Sequence, residues 1–171
     1  MFHNEEVWGT VVSFHFPEQG VTQARIDALL ERSIAFVHEI DRQFSTYKES
    51  SEVSQIRRGE IKISDASDRM RLIWNLCAEA CALTDGAFDP FQERLDGFDP
   101  SGYVKGWAAD IAADLIVAAG YPNVSVNAAG DVTCRGFQSP QTPWVVGIRH
   151  PEHELQVVRS TSVLNGAIAT S

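Results

Sequence analysis

Apolar positions along the chain change their spacing several times, and each change predicts a new element. Residues 7–16 (VWGTVVSFHF) are rich in β-branched and aromatic side chains and predict a strand that ends at Pro17. Residues 22–44 carry apolar side chains at helical spacing, with a threonine at the N-cap position. A second helical pattern covers about 67–83, and Gly86 follows it where a C-terminal cap is expected.

Polar and irregular segments separate these patterns from a C-terminal group of strands. Residues 45–66 hold one short strand candidate, at 61–63. Residues 87–104 contain four aromatic side chains but no regular period, and a loop of that length in a compact domain is usually functional. The remaining elements are a helix over about 105–119, strands at 124–126, 132–135 and 144–148, and an alternating tail over 157–171 that turns at 165–166. This order predicts an α+β fold in which a mixed or antiparallel sheet packs on helices.

Composition and charge narrow the classes of function. The 171 residues are 44% hydrophobic and 22% charged, which is typical of one globular domain. Acidic residues outnumber basic ones by 23 to 14, and the longest basic run is the pair 57–58, so we predict no nucleic-acid partner. No apolar run approaches the roughly 20 residues of a membrane span, and no signal peptide precedes the first strand. We therefore expect a cytoplasmic protein without a membrane span.

The cysteines and one pair of histidines do not predict a metal site or a disulfide framework. Cys77 and Cys81 are one helical turn apart with no histidine at ligand spacing, so they and Cys134 are interpreted as small apolar residues. His150 and His153 flank a Pro-Glu turn, which favours a solvated loop over a zinc site.

The segment GAFDP at 86–90 is the richest in candidate chemistry. Gly86 allows a close backbone approach, Phe88 offers a flat face, and Asp89 supplies an acceptor before a rigid proline. The alternative is a helix cap followed by an Asp-Pro turn. Both interpretations are compatible with the residues alone.

A second candidate is DPSGYVKGWAAD at 99–110. Asp99 and Gly102 precede the predicted helix, whose free N–H groups can hold an anion. Lys105 falls in the predicted first turn, where the helix dipole disfavours a cation unless it serves an anionic ligand. The alternative is an ordinary N-cap with a solvated lysine. Taken alone, FSTY at 44–47 favours the end of a helix. NAAGD at 127–131 favours a hairpin turn, with backbone amides placed against a ligand as the alternative.

Taken in order, these motifs resemble the FAD:protein FMN transferases of the ApbE family. The resemblance covers essentially the whole chain. It departs from the family pattern at Trp107, where tyrosine is usual, and at Ala129, where the first glycine of a pair is usual. The matching segments are 9–10 (GT), 44–47 (FSTY), 51–54 (SEVS), 86–90 (GAFDP), 99–110, 127–131 (NAAGD), 143–148 (PWVVGI) and 169–171 (ATS).

The resemblance implies an activity that composition does not. Such enzymes transfer FMN from FAD onto a Thr or Ser hydroxyl of a target flavoprotein, release AMP, and use Mg²⁺ with hard oxygen ligands. A target flavoprotein is therefore the implied partner. Two alternatives stay open: a non-catalytic FAD-binding remnant, and a FAD pyrophosphatase that releases free FMN and AMP.

The resemblance also implies site residues, although no catalytic group is assigned. Gly102 would offer its backbone carbonyl to the metal, and Asn127 and Asp131 would shape the flavin pocket. The residues implied to contact FAD are Trp8 (commonly Met in the family), Tyr47, Ala87, Phe88, Asp89, Asp99 and Lys105.

Family members continue past the ATS segment with a histidine-containing part and further metal ligands. This sequence has no positions that match that part. We therefore expect residues 1–171 to be the N-terminal portion of a flavin transferase domain.

Overall fold

A computed structural model describes residues 1–17, 22–91, 97–153 and 156–169, and it confirms the α+β fold. The elements are β1 (Phe2–Val7), β2 (Thr10–His15), α1 (Gln23–Phe44), α2 (Glu52–Arg57), α3 (Asp68–Leu83), α4 (Ser101–Ala118), β3 (Val124–Ala128), β4 (Asp131–Arg135), β5 (Trp144–Arg149), β6 (Val157–Val163) and β7 (Gly166–Ile168). None of the helices in these ranges is long and apolar enough to cross a membrane.

The chain divides into two compact units, which are described separately. Unit 1 comprises Met1–Phe36 and Ala109–Ser171, and unit 2 comprises Val37–Ala108. Unit 1 holds the strands, and unit 2 holds α2, α3 and the long loop that the sequence marks as functional.

Unit 1 contains a five-stranded antiparallel sheet and a separate hairpin. The sheet has the order β1-β2-β3-β4-β7, and β5 pairs with β6. The prediction of a single strand over 7–16 was wrong, because Trp8 and Gly9 form a tight turn between β1 and β2. Both turn residues have positive φ, of 59° and 67°, as a two-residue hairpin turn requires. The side chains of β1 (FHNEEV) are largely polar, so the hydrophobic pattern did not predict this strand.

Alternation along β2 and β3 places their apolar side chains on one face. Val12 lies opposite Ala128 and Phe14 opposite Val126, and all four side chains are buried. The predicted helix over 22–44 is confirmed as α1, and its N-terminus is capped by Thr22, whose hydroxyl accepts a hydrogen bond from a backbone N–H.

A buried hydroxyl and an arginine fix helix α4 within unit 1. The Ser33 hydroxyl on α1 donates to the Ala112 carbonyl on α4 over 2.9 Å. Arg135 on β4 donates to Asp114 over 2.7 Å and to Asp110 over 3.1 Å, which are one turn apart on α4. Thr133 also donates to Asp110, over 2.8 Å. In this chain Asp110, part of the motif at 99–110, therefore has a structural role.

Unit 2 is built from α2, α3 and parts of α1 and α4. The strand candidate at 61–63 was wrong: this segment leads into a single 3₁₀ turn, Ile63–Asp65. The predicted helix over 67–83 is confirmed as α3, with Ser67 as its N-cap. At its C-terminus the left-handed residue of the Schellman turn is Asp85 (φ 50°), and the Gly86 N–H closes the turn on the Cys81 carbonyl over 2.9 Å.

Glu52, from the motif at 51–54, connects the helices of unit 2. Its carboxylate accepts hydrogen bonds from the Gln43 amide over 2.7 Å and from the Ser67 N–H over 2.6 Å and hydroxyl over 2.8 Å. Burial alone would raise the pKa of Glu52, but these hydrogen bonds and the charge of Arg69 outweigh it and lower the pKa below 4.5. The ionised form therefore stabilises the fold.

We expect Glu52→Gln to destabilise the chain by about 1 kcal/mol at pH 7, because the amide cannot accept all three hydrogen bonds and the site is partly exposed. The stabilisation is present above the ordinary pKa of 4.5 and is lost as the pH falls through the lower folded pKa. Urea unfolding between pH 7 and pH 3 measures both effects. The exposed Glu31→Gln on α1 is the matched control. Equal acid sensitivity of wild type and Glu52→Gln would contradict this account.

Candidate functional site

Two predicted site residues, Asp89 and Asp99, lie at the two ends of the long loop in unit 2. The Asp99 N–H donates to the Pro90 carbonyl over 2.8 Å, which brings the two ends together. We call residues 89–91 and 98–101 the neck. The ends of the GAFDP segment at 86–90 and of the DPSG segment at 99–102 are therefore adjacent in the fold.

Each neck aspartate organises the backbone that follows it. One Asp89 oxygen accepts from the Phe91 N–H, and one Asp99 oxygen accepts from the Ser101 N–H, both over 2.9 Å. Both side chains are half-buried. Within the described residues, these are the only hydrogen bonds of the two carboxylates, so each keeps one oxygen available for a ligand.

Three aromatic rings hold the neck together. The Trp74 ring on α3 lies 4.8 Å from the Phe91 ring and 4.6 Å from the Phe98 ring, and Phe91 and Phe98 stack at 5.5 Å between ring centroids. Cys77 lies on the same helix as Trp74 and is buried, and burial and then the charge of Asp99 raise the pKa of its thiol to about 12. This confirms Cys77 as an unreactive core residue.

The start of α4 differs from the prediction and changes the interpretation of Lys105. The helix begins at Ser101, not at about 105, so Lys105 lies in the second turn, where the dipole no longer disfavours it strongly. The argument from the dipole was therefore wrong. Lys105 is half-buried, and within the described residues its ammonium has neither an ion pair nor a hydrogen bond. A partly desolvated cation without a protein partner remains suited to an anionic ligand.

Gly102 and Gly106 lie one turn apart on the same face of α4. A Cβ at position 102 would lie 3.2 Å from Cε2 of Phe88, so the glycine allows the Phe88 ring to pack on the helix backbone. A Cβ at position 106 would meet no described atom within 4 Å. Open space beside a helical glycine leaves room for a ligand to approach the backbone.

These two glycines give a matched pair of substitutions. We expect Gly106→Ala to stabilise the chain by about 0.5–1 kcal/mol, because alanine favours the helix and no described atom is in its way. Gly102→Ala should gain less or lose stability, because the Phe88 ring has to move. Urea unfolding of the two variants side by side measures the difference, and equal gains would contradict the close Phe88–Gly102 packing.

Two other predicted site residues of unit 2 lie apart from the neck contacts. Ala87 is exposed beside Phe88. Tyr47 follows α1 and is 96% exposed, and it lines a shallow groove of about 240 Å³. The other lining residues are Thr46, Glu49, Ser54, Arg57 and Arg58. No contact in the described part of the chain joins Tyr47 to the neck, so a role for it stays a prediction.

The remaining predicted site residues lie in unit 1, at one end of its sheet. The turn at Trp8 precedes β2, and the turn at 129–130 follows β3; the register places both turns at the same end. Asn127 is exposed and its side chain accepts from the Gly130 N–H over 2.8 Å, so it stabilises its own turn. Asp131 pairs with Ala128 at the start of β4.

Ala129 shows why the usual residue at its position is glycine. Its φ of 58° lies in the left-handed region, which costs a non-glycine residue roughly 1–2 kcal/mol. Ile168 of β7 pairs with Val132 near the same end of the sheet. Of the ATS segment only Ala169 is described; Thr170 and Ser171 lie outside the described residues.

A model described as the ApbE family matches residues 8–98 and 97–171. The chain belongs to the ApbE family. The matched ranges include both segments of the neck and both turns of unit 1. A search of the curated proteins found no match.

Solved structures with this fold include known flavin transferases. The flavin transferase ApbE from Vibrio cholerae has a TM-score of 0.81 at 19% identity, over all of this chain and 71% of its own. The ApbE protein from Thermotoga maritima has a TM-score of 0.78 at 22% identity, over all of this chain and 70% of its own. The apo flavinyl transferase ApbE from Pseudomonas stutzeri has a TM-score of 0.74 at 16% identity, over 95% of this chain and 65% of its own. These similarities confirm the ApbE-like fold.

The sequence did not single out the residues that support the neck. The helical pattern at 67–83 indicates no special role for Trp74, and Phe91 and Phe98 stand out only as aromatic residues of an irregular segment. Phe91 and Phe98 lie at the two ends of the irregular segment, and aromatic rings at the two ends of a loop can pack against each other. This placement could have predicted the contact between them. Thr84, two residues before the GAFDP segment, does not stand out in the sequence either.

Proposed function

We propose that this chain is a flavin transferase that moves FMN from FAD to a Thr or Ser hydroxyl of an acceptor flavoprotein and releases AMP. Membership of the ApbE family carries the proposal, since the neighbouring structures from Vibrio cholerae and Pseudomonas stutzeri are flavin transferases. The neck in unit 2 supports it, because two of the proposed FAD residues, Asp89 and Asp99, lie on it and three others are close to it in the sequence. These are Ala87, Phe88 and Lys105.

The charge or polarity of each of these side chains indicates which part of FAD it can bind. Lys105 is the half-buried cation beside the neck and suits the diphosphate. The free oxygens of Asp89 and Asp99 would be repelled by phosphate, so they suit donors on FAD such as ribityl or ribose hydroxyls. The Phe88 ring, half-buried against Gly102, offers an apolar face to a flat ring.

The proposed reaction is a displacement at phosphorus. The acceptor hydroxyl oxygen bonds to the FMN phosphorus as its proton passes to solvent water, the bond from that phosphorus to the bridging oxygen breaks, and the bridging oxygen leaves with AMP. The contribution of this chain is positioning and charge neutralisation, with Lys105 balancing the negative charge of the diphosphate.

Mg²⁺ is part of the proposal, and the donors available in this chain fit it only incompletely. Gly102, in the first turn of α4, offers a backbone carbonyl oxygen, which is a hard ligand of the type that Mg²⁺ requires. Within the described residues, however, no group of three or more His, Cys, Asp or Glu side chains could hold a metal. Mg²⁺ commonly binds through one or two carboxylates together with substrate phosphates. Because the described residues do not form a complete metal site, the proposed reaction has no step that depends on the metal.

Product analysis distinguishes this function from its alternatives. The chain is incubated with FAD and Mg²⁺, with and without a protein extract that contains flavoprotein acceptors, and the products are separated on denaturing gels and by chromatography. Covalent flavin fluorescence on a protein band with an equal amount of AMP supports transfer. Free FMN with AMP indicates a pyrophosphatase, and FAD binding without AMP indicates a binding remnant; either result overturns the proposed function.

A further inference from the structure

Thr84 lies between the end of α3 and the GAFDP segment, and it contacts both. Its hydroxyl is 2.9 Å from the Ala80 carbonyl and 3.2 Å from the Cys81 carbonyl, both in the last turns of α3. The same hydroxyl oxygen accepts from the Phe88 N–H over 3.1 Å. The Thr84 carbonyl accepts from the Ala87 N–H over 3.0 Å. One residue therefore ties the loop backbone to the helix.

The two hydrogen bonds of the hydroxyl depend on each other. A hydroxyl has one proton, and the shorter distance directs it to the Ala80 carbonyl. The lone pairs of the hydroxyl oxygen then face the Phe88 N–H and accept a hydrogen bond from it. The rigid end of α3 thus sets the position of the Phe88 backbone, and the Phe88 ring in turn packs on Gly102 of α4.

We propose that Thr84 is a positioning residue for flavin binding: its hydroxyl holds the Phe88 backbone so that the ring and the following Asp89 face the ligand in one fixed arrangement. This inference rests on the proposed function. Thr84 is exposed, so water can replace its hydroxyl as the acceptor for the Phe88 N–H. Loss of the hydroxyl therefore affects the order of the loop more than the stability of the fold.

Three variants test the proposal. Thr84→Val keeps the shape but removes the hydroxyl, Thr84→Ser restores it, and Thr161→Val on exposed strand β6 is a matched control. Amide hydrogen exchange at Phe88 is followed by NMR, and FAD affinity by flavin fluorescence. We expect Thr84→Val to accelerate Phe88 exchange at least tenfold and to raise the Kd for FAD at least tenfold. Thr84→Ser and Thr161→Val should stay within about threefold of wild type in both measurements.

Each result has a defined meaning. Unchanged Phe88 exchange in Thr84→Val overturns the proposal, and so does faster exchange with unchanged FAD affinity. Failure of Thr84→Ser to restore affinity also overturns it, because the side chain would then act through its methyl group. If wild type does not bind FAD, the proposed function is overturned, whereas wild-type binding that Thr84→Val leaves unchanged overturns the positioning role alone.

Discussion

Phe98→Ala is expected to destabilise the chain by about 3–5 kcal/mol, the usual cost of removing a large aromatic side chain from a core. Phe98 is only 4% exposed, and its ring contacts the Trp74 and Phe91 rings at the neck. The loss is a large share of the stability of an ordinary domain. Under conditions where the variant stays folded, we also expect weaker FAD binding, because Asp99 follows Phe98 directly in the sequence.

Urea unfolding and flavin fluorescence measure these two effects. Phe137→Ala, at a residue of unit 1 that is 39% exposed, is the matched control and should lose much less stability. Phe98→Leu should recover most of the loss, because it refills the volume. A loss below about 1 kcal/mol in Phe98→Ala would contradict the role of this ring in the core.

Lys105→Met is expected to weaken FAD binding by about 10- to 100-fold, since a charge-assisted hydrogen bond contributes roughly 1.5–3 kcal/mol. Methionine keeps an unbranched stem of similar size and removes the ammonium group, with both its charge and its hydrogen-bond donors. Because Lys105 has no partner in the described part of the chain, the substitution should change stability little. Affinity is measured by flavin fluorescence at two salt concentrations, and the salt dependence should be smaller in the variant.

Lys62→Met, at an exposed lysine of unit 2, is the control for the change in net charge. It should leave FAD affinity unchanged. If Lys105→Met binds FAD as tightly as wild type, the assignment of Lys105 to the diphosphate is wrong.

Helices and strands with a clear period could be predicted from the sequence. The stripe of α1, the cap at Thr22, and strands β3, β4 and β5 follow from spacing and local capping rules. Strand β1 could not, because its side chains are largely polar and its pairing depends on β2. The start of α4 was predicted about four residues too late, because Gly102 and Gly106 weaken the helical pattern over its first turns.

The residues of the candidate site were predictable, but their geometry was not. The motifs at 86–90 and 99–110 identified Asp89, Asp99 and Lys105, yet their meeting at the neck depends on the Asp99–Pro90 hydrogen bond and on aromatic packing across the loop. Such contacts join residues that are distant in the sequence and leave no local period. The motif at 51–54 illustrates the converse, because the hydrogen bonds of Glu52 are structural in this chain.

Hydrogen–deuterium exchange of the chain with and without FAD shows whether the neck and the start of α4 form the flavin site. Peptides that cover 84–91 and 97–106 should be protected when FAD is added, and the unit 2 segment 52–83 should change little. Protection that is absent from both neck peptides, while FAD binding is demonstrated in the same sample, would contradict the account.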